Sequence, residues 1–397
     1  MGEWSLKLSG NLLIVPSSPG WILMTRLNQG LDPHSVRFAL LANAIGYAPW
    51  CLAVWGLYAV LIHRRPQPTA PRCTTPQTDQ TPAPPSAKPG LRDPSRRRLL
   101  SRSLLLGGVG LPTCSLAYGS LVEPWRLRRT AYRVPIADLP PDLNGVRFAV
   151  IGDTHFGPRV PASHIRDAVD MAVALRPDAY LLVGDYVHYG PQHRGPAYEL
   201  LRPILDSGKA VAVLGNHDNY YGQHAIARDD LIAAGAIYVE NSRVFVLSDR
   251  SIQRDVPLPG TGALCIAGIP DWWTEREKIR LDEALGGLPL SMPRLLLSHA
   301  PDAAELPAIA GRTDPRLRHR VDLMLAGHTH GGQVRLPLLG TPIVPSEFGS
   351  RYAYGMCRGP GCPVLVTSGV GVSILPIRIG VPPEVVELTL VCSDSAR

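Results

Sequence analysis

Cysteine is scarce in this sequence, with seven residues in a chain of 397. A small disulfide-stapled framework is therefore excluded. None of the seven has the spacing of a structural zinc site. Aromatic residues make up only 6% of the chain, and phenylalanine contributes five. No segment recurs at a fixed period of roughly 20–50 residues, so repeat architectures are excluded as well. Charged residues are 18% and hydrophobic ones 45%, which rules out a wholly disordered chain and allows two or three domains with packed cores. The later part of the chain also lacks positive charge. Residues 1–145 carry 16 Lys and Arg against 7 Asp and Glu, whereas residues 146–397 carry 24 against 26. A nucleic-acid-binding domain concentrates positive charge on its folded part, so no nucleic acid is expected as a partner.

The early positive charge surrounds apolar runs instead. Residues 38–62 are uncharged and include Trp50, Trp55 and Tyr58. As a helix they would cross about 30 Å of hydrocarbon, and a transmembrane helix is expected there. Residues 104–122 form a second uncharged run, interrupted by Pro112, and read as a second transmembrane helix or signal anchor. Residues 1–37 are an N-terminal segment whose own uncharged stretch is broken by Pro16 and Pro19. Between the two runs, residues 63–103 form a basic, proline-rich tether. Arg64, Arg65, Arg92, Arg96, Arg97, Arg98 and Arg102 place this tether on the cytoplasmic side. Arg126, Arg128, Arg129 and Arg133 pull the other way but are fewer. Ser95-Arg96-Arg97-Arg98-Leu99-Leu100 resembles a twin-arginine export signal. Residues 123–145 read as a linker. The expected location is a bacterial inner membrane, with residues 146–397 forming an extracytoplasmic, periplasmic domain.

From Val146 onward the pattern is α/β. Apolar runs at 146–151, 179–183, 209–214, 264–269, 293–297 and 321–326 read as buried strands. Helical segments are expected near 164–175, 197–205, 223–234, 275–285 and 302–309. Two further strands, 364–367 and 384–391, follow without helices between them, which suggests a sheet sandwich with helices outside.

Five of these strand ends carry chemistry. They are Asp153-Thr154-His155, Gly184-Asp185, Gly215-Asn216-His217-Asp218, Ser298-His299 and Gly327-His328-Thr329-His330. Loops at the carboxyl ends of strands are where α/β sheets build sites. Asp-x-His and His-x-His on extended backbone would each put two side chains on one side of the chain, within reach of one ion. Mixed oxygen and nitrogen donors suit Mn, Fe, Zn or Ni better than Mg or Ca. Any one of these segments alone is an ordinary structural feature. Five in order, each closing an apolar strand, indicate a metal centre.

This ordered set resembles the calcineurin-like metallophosphoesterase superfamily over residues 146–391. The stretch Gly327–Tyr354 and Leu296-Leu297-Ser298-His299-Ala300-Pro301-Asp302 are similar to its bacterial, membrane-associated YkuE/YaeI-like branch. The resemblance implies a four-layer α/β/β/α sandwich, here preceded by two transmembrane helices. It implies that Asp153, His155 and His330 hold one divalent metal, that Asn216, His299 and His328 hold a second, and that Asp185 bridges them. Mn, Zn or Fe would serve as the metals. A bridging hydroxide would attack phosphorus. His217 would be the general acid, with Asp218 either orienting it or bonded to backbone. The substrate would be a phosphodiester or phosphomonoester at the envelope: a lipid head group, a wall polymer or a nucleotide. The alternatives are a pyrophosphohydrolase of a UDP-diacylglucosamine-type lipid precursor, which requires the opposite topology, and a catalytically idle, membrane-anchored metal-binding protein.

The sequence departs from the Ser/Thr protein phosphatases of that superfamily, which carry Gly-Asp-x-x-Asp-Arg-Gly at the second block. Here His188 and Tyr189 replace the second Asp and the Arg, so protein phosphatase activity is disfavoured; His188 is expected as a solvated loop residue, with contact to substrate as the alternative. Trp272 and Trp273 are expected either partly buried or facing a substrate or membrane. Arg335, Arg351 and Arg378 are candidates for gripping a second acidic group, against the plainer expectation of surface ion pairs. Cys357 and Cys362 flank a turn and are either free thiols or a hairpin disulfide.

Overall fold

The computed structural model describes residues 103, 110–219, 222–258, 260–311, 319–337 and 339–393. The expected span at 38–62 and the tether with its twin-arginine motif lie outside these residues, as does most of the start of the 104–122 run. Among the described residues no helix is long and apolar enough to cross a membrane. The helix α1 (Leu111–Leu121) is eleven residues long.

Residues from Thr113 onward form one compact unit built on two sheets. The first has six strands in the order β1 (Arg128–Ile136), β13 (Glu384–Cys392), β2 (Arg147–Ile151), β3 (Ala179–Leu182), β4 (Ala210–Ala212) and β5 (Ile237–Tyr238). The second has seven, in the order β11 (Gly355–Arg358), β12 (Pro363–Val366), β10 (Leu323–Ala326), β9 (Arg294–Leu297), β8 (Ala263–Gly268), β6 (Ser242–Leu247) and β7 (Ile252–Gln253). Strands β2 to β5 run parallel, as do β8, β9, β10 and β12.

The alternation of strand side chains explains the layering. Phe148 and Val150 of β2 point between the sheets, where they meet Leu181, Val211, Ile266, Leu295 and Leu325. Ala149 and Ile151 point outward against Ile165 and Val169 of α2 (Ala162–Ala174), beside α3 (Arg194–Leu200), α4 (Arg202–Leu205) and α5 (His224–Ala233). On the far side, Cys265, Leu296 and Met324 pack under α6 (Leu281–Leu285) and α7 (Pro307–Ala310). Both faces of both sheets are buried, so the central strands read as continuous apolar runs rather than alternating ones.

One boundary differs from expectation. The segment 123–145, expected as a linker, contains β1, which pairs in parallel with β13 along nine residues. Its charges hid it. Arg128, Arg129 and Arg133 sit on exposed positions of an edge strand, while Val134 and Ile136 face the core. Charged edges of this kind protect a sheet from pairing with other chains. The eight strands expected from sequence are all present, as are helices near 164–175, 197–205 and 223–234, whereas 275–285 and 302–309 hold only short 3-10 and α-helical turns. The short β5 and β7, and the edge strands β1 and β11, were too brief or too polar to read, as was the inner strand β6, half of whose positions are only partly buried.

Candidate metal centre

The loops that follow β2, β3, β4, β9 and β10 converge at one end of the sandwich. Their backbone is unusual. Asp153, His155, Asp185, His328 and His330 all have positive φ, between 45° and 68°. Non-glycine residues seldom adopt this left-handed region, and such residues gather at functional sites. This corrects the expectation that Asp-x-His and His-x-His lie on extended backbone. The side chains converge because the chain coils tightly just past each strand. Two glycines permit the approach: a Cβ on Gly215 would fall 2.1 Å from Asp185 Oδ1, and one on Gly327 would fall 2.3 Å from Asp153 Oδ2.

Two clusters of ligand atoms result. In the first, His155 Nε2 lies 2.8 Å from His330 Nε2. Asp153 Oδ1 stands 3.4 Å from His330 Nε2 and 3.9 Å from His155 Nε2. In the second, Asn216 Oδ1 is 2.9 Å from His328 Nδ1 and 3.1 Å from His299 Nε2. Asp185 Oδ2 belongs to both, 3.5 Å from His155 Nε2 and 3.2 Å from His299 Nε2. The structure thus brings together all seven residues expected as ligands.

The donor set fits two cations. Ligand atoms about 2.1 Å from a common ion stand roughly 3.0–3.4 Å from one another in ordinary geometries, close to the spacings seen. His299 turns its Nδ1 to the carbonyl of Val183 at 2.8 Å and its Nε2 to Asp185. Burial opposes its charge, but the Asp185 carboxylate holds it well above the usual imidazole range, so an ion would displace a proton from Nε2. Burial holds His155 and His330 well below the usual imidazole range and pushes His328 down to about 3, so these rings stay neutral, as ligation requires. Burial also pushes the Asp153 carboxyl up to about 7. A carboxylate so buried calls for a positive charge beside it.

His217 belongs to neither cluster. Its backbone N–H donates to Asp185 Oδ1 at 2.8 Å, and its Nδ1 donates to the carbonyl of His188 at 2.7 Å. Asp218, expected beside it as a catalytic residue, has a different set of partners. Its Oδ2 accepts the amides of Asp185 and Gly215 at 2.7 and 2.9 Å, and its Oδ1 those of Tyr186 and Val187 at 2.9 and 3.3 Å. Asp218 ties the β3 and β4 loops together, and the His188 carbonyl orients His217.

His188 itself was misjudged from sequence. It is 1% exposed, not solvated, and its ring lies parallel to that of His217 at 5.3 Å. The signal available was its place in the second block, where protein phosphatases carry an aspartate. The two tryptophans divide. Trp272 is buried under the second sheet. Trp273 is 37% exposed, and its ring stacks on that of His328 at 5.6 Å. Asp271 Oδ2 sets this turn by accepting the amides of Trp273 and Thr274 at 3.0 and 2.9 Å.

The arginines divide too. Arg351 pairs with Glu305 at 2.7 Å, and Arg335 is exposed. Arg378, expected at the surface, is fully buried. Its Nη2 donates to the carbonyls of Ser368 and Gly371 at 2.8 and 2.5 Å, bracing the loop beside His330. Cys357 and Cys362 are not joined in a disulfide. Cys357 stands opposite Val364 across the hairpin, not opposite Cys362.

A mixed α/β sandwich with two adjoining His/Asp ligand sets at its strand ends defines a dinuclear metallohydrolase. The profile of the calcineurin-like phosphoesterase family matches residues 146–332. Phosphodiesterase YaeI of Escherichia coli (strain K12) is 33% identical over 244 residues, covering 61% of this chain and 80% of that protein. The uncharacterized metallophosphoesterase YkuE of Bacillus subtilis (strain 168) is 27% identical over 301 residues, covering 75% of this chain and 97% of that protein. A transmembrane protein with metallophosphoesterase domain from Danio rerio is 29% identical over 265 residues, covering 65% of this chain and 56% of that protein. The chain belongs to the calcineurin-like phosphoesterases and is a metal-dependent phosphoester hydrolase.

Proposed function

We propose that the protein is a membrane-anchored phosphodiesterase acting on lipid head groups at the outer face of a bacterial inner membrane. The observation that carries the chemistry is Asp185, one carboxylate within 3.5 Å of both ligand sets. Asp153, His155, His330 and Asp185 would hold one divalent ion, and Asn216, His299, His328 and Asp185 the other, with Mn, Zn or Fe as the metals. Such a pair supplies charge neutralisation at the phosphoryl oxygens and an activated water as nucleophile. The chain's own residues do the rest. The carbonyl of His188 takes the Nδ1–H of His217, so that in the imidazolium form the second proton, on Nε2, would be the one given to the leaving oxygen. Trp273, stacked on His328 and partly exposed, offers a flat face to the substituent that departs.

A diester is favoured over a monoester by charge. Tyr189 stands where protein phosphatases of this superfamily carry a phosphate-gripping arginine. A diester brings one negative charge to the metals, a monoester up to two. The relative YaeI is itself named a phosphodiesterase.

Support for a lipid substrate comes from the rim of the centre. Leu339, Ile343 and Ile374 are large, aliphatic and exposed. All three lie on loops that brace the His330 turn: Gln333 exchanges hydrogen bonds with Ser373, and Gly332 abuts the carbonyl of Ile343. The carbonyl of Gly119, near the end of α1, accepts the amide of Arg378 from the same stretch of chain at 2.8 Å. Gly119 belongs to the uncharged 104–122 run, so that run is tied to the stretch of chain that carries Ile374.

The test uses the full chain in detergent micelles, stripped of metal and reloaded with Mn. Metal-dependent turnover of bis-p-nitrophenyl phosphate ahead of p-nitrophenyl phosphate is expected. Preference for the monoester would overturn the diester assignment. A periplasmic reporter fused after Arg397 should be active, and an inactive one would reverse the topology and favour a cytoplasmic pyrophosphohydrolase.

A further inference from the structure

We propose that His188 is a catalytic residue whose Nδ1–H, presented by Arg159, hydrogen-bonds a non-bridging oxygen of the phosphoryl group at the dinuclear centre. This deepens the phosphodiesterase reading and rests on it.

The argument begins with a proton. Arg159 Nη1 lies 2.8 Å from His188 Nε2. A guanidinium only donates, so Nε2 must be the acceptor and the ring proton sits on Nδ1. That Nδ1 has no hydrogen-bond partner, and the residue is 1% exposed, so bulk water does not reach it. A buried N–H left unpaired is costly. Such a group persists where something arrives to take the bond.

The surroundings say what arrives. The His188 ring stacks on His217 with an interplanar angle of 17°, and meets the edge of His155 at 5.4 Å. Ring nitrogens of His155, His188 and His217 all lie within 4.8 Å of one another. His155 is a candidate metal ligand and His217 the candidate acid, so the ring that carries the unpaired N–H lies against the reaction space. Three clustered imidazoles would ordinarily suggest another metal site. Arg159 excludes it here, because a protonated nitrogen has no lone pair for an ion and the other nitrogen is occupied. An anionic oxygen is the matching partner, and the Arg159 charge behind the ring strengthens the donor.

The arginine beside His330 does not do the same. Arg378 Nη2 is 3.4 Å from His330 Nδ1, but its two hydrogens go to the nearer carbonyls of Ser368 and Gly371. His330 keeps its freedom to ligate, whereas His188 does not. One residue thus serves the reaction twice: its carbonyl orients His217, and its ring receives the phosphoryl oxygen.

The experiment uses the full chain in micelles, loaded with Mn, with metal content measured on each variant. Inorganic phosphate is the probe, titrated by calorimetry. His188→Phe keeps an aromatic ring and removes the donor. Phosphate affinity and kcat/KM on bis-p-nitrophenyl phosphate should each fall about 10- to 100-fold, with two metals per chain retained. His188→Asn, whose amide N–H can stand near Nδ1, should recover most of both. Unchanged phosphate affinity in His188→Phe at full metal content would overturn the proposal. So would loss of a metal from that variant, since His188 would then be a ligand. Should His188→Phe fail to fold, Arg159→Met carries the test. It releases the ring proton from Nδ1, and an unchanged phosphate affinity there would also overturn the assignment. Calorimetry reads the donor without turnover, so failure of the diesterase reading and failure of this one are told apart.

Discussion

The carboxylate of Asp218 accepts the backbone N–H of Asp185 at 2.7 Å, so the residue shared by both metal clusters is held from a neighbouring loop. Three more amides, from Gly215, Tyr186 and Val187, complete the set. Asp218→Ala would leave all four buried donors unpaired. We expect a loss of about 3–5 kcal/mol in urea unfolding, together with weakened metal binding. Asp218→Asn keeps one acceptor oxygen and should fall between. A variant that loses catalysis but keeps full stability and both metals would instead make Asp218 a partner of His217.

Metal affinity should depend on pH in a definite sense. Burial pushes the Asp153 carboxyl up to about 7, so below that pH the group carries a proton that an incoming ion must displace. Mn affinity is therefore expected to fall as the pH is lowered from 8 to 5.5, by about tenfold per pH unit for each proton released. Calorimetry in buffers of different ionisation enthalpy counts those protons directly. A flat profile across that range would show that Asp153 is ionised without metal.

The adjacent tryptophans should behave as opposites. Trp272 is buried in the core cluster on the outer face of the second sheet, and Trp272→Ala should cost about 3–5 kcal/mol of stability. Trp273→Ala removes a half-exposed ring stacked on His328. Stability should change by less than about 1 kcal/mol, while KM for aryl or lipid diesters rises about 5- to 20-fold, with kcat nearly unchanged. A fall in kcat with KM unchanged would place Trp273 with the metal ligands rather than the substrate.

The ligand residues were legible because each follows a buried strand, and buried parallel strands announce themselves as apolar runs. What those residues do with their backbone was not legible. Nothing in Asp153-Thr154-His155 reveals positive φ at both ends. His188 escaped because a histidine in a polar loop looks solvated until the fold lays Arg159 and His217 against it. Arg378 escaped for the opposite reason. A lone arginine reads as surface, yet the chain wraps four carbonyls around its guanidinium, those of Ser368, Gly369, Gly371 and Val381. Strand β1 was hidden by arginines that line its exposed edge. In each case the missing information was tertiary: which groups of distant loops come to face one another.

Ile374 offers the sharpest test of the rim. It is a β-branched residue at φ 57° and 61% exposed, a backbone state that such side chains rarely adopt. Nothing about stability calls for an isoleucine there. Replacing it with glycine should relieve the strain and stabilise the domain by about 1 kcal/mol. If the aliphatic rim dips into lipid, the same substitution should raise KM for diesters presented in phospholipid vesicles while leaving turnover of bis-p-nitrophenyl phosphate unchanged. Stability gained and surface activity lost in one variant would mean that the strain is kept for contact with the bilayer. A variant more stable and equally active on vesicles would remove Ile374 from the membrane argument and leave Leu339 and Ile343 to carry it.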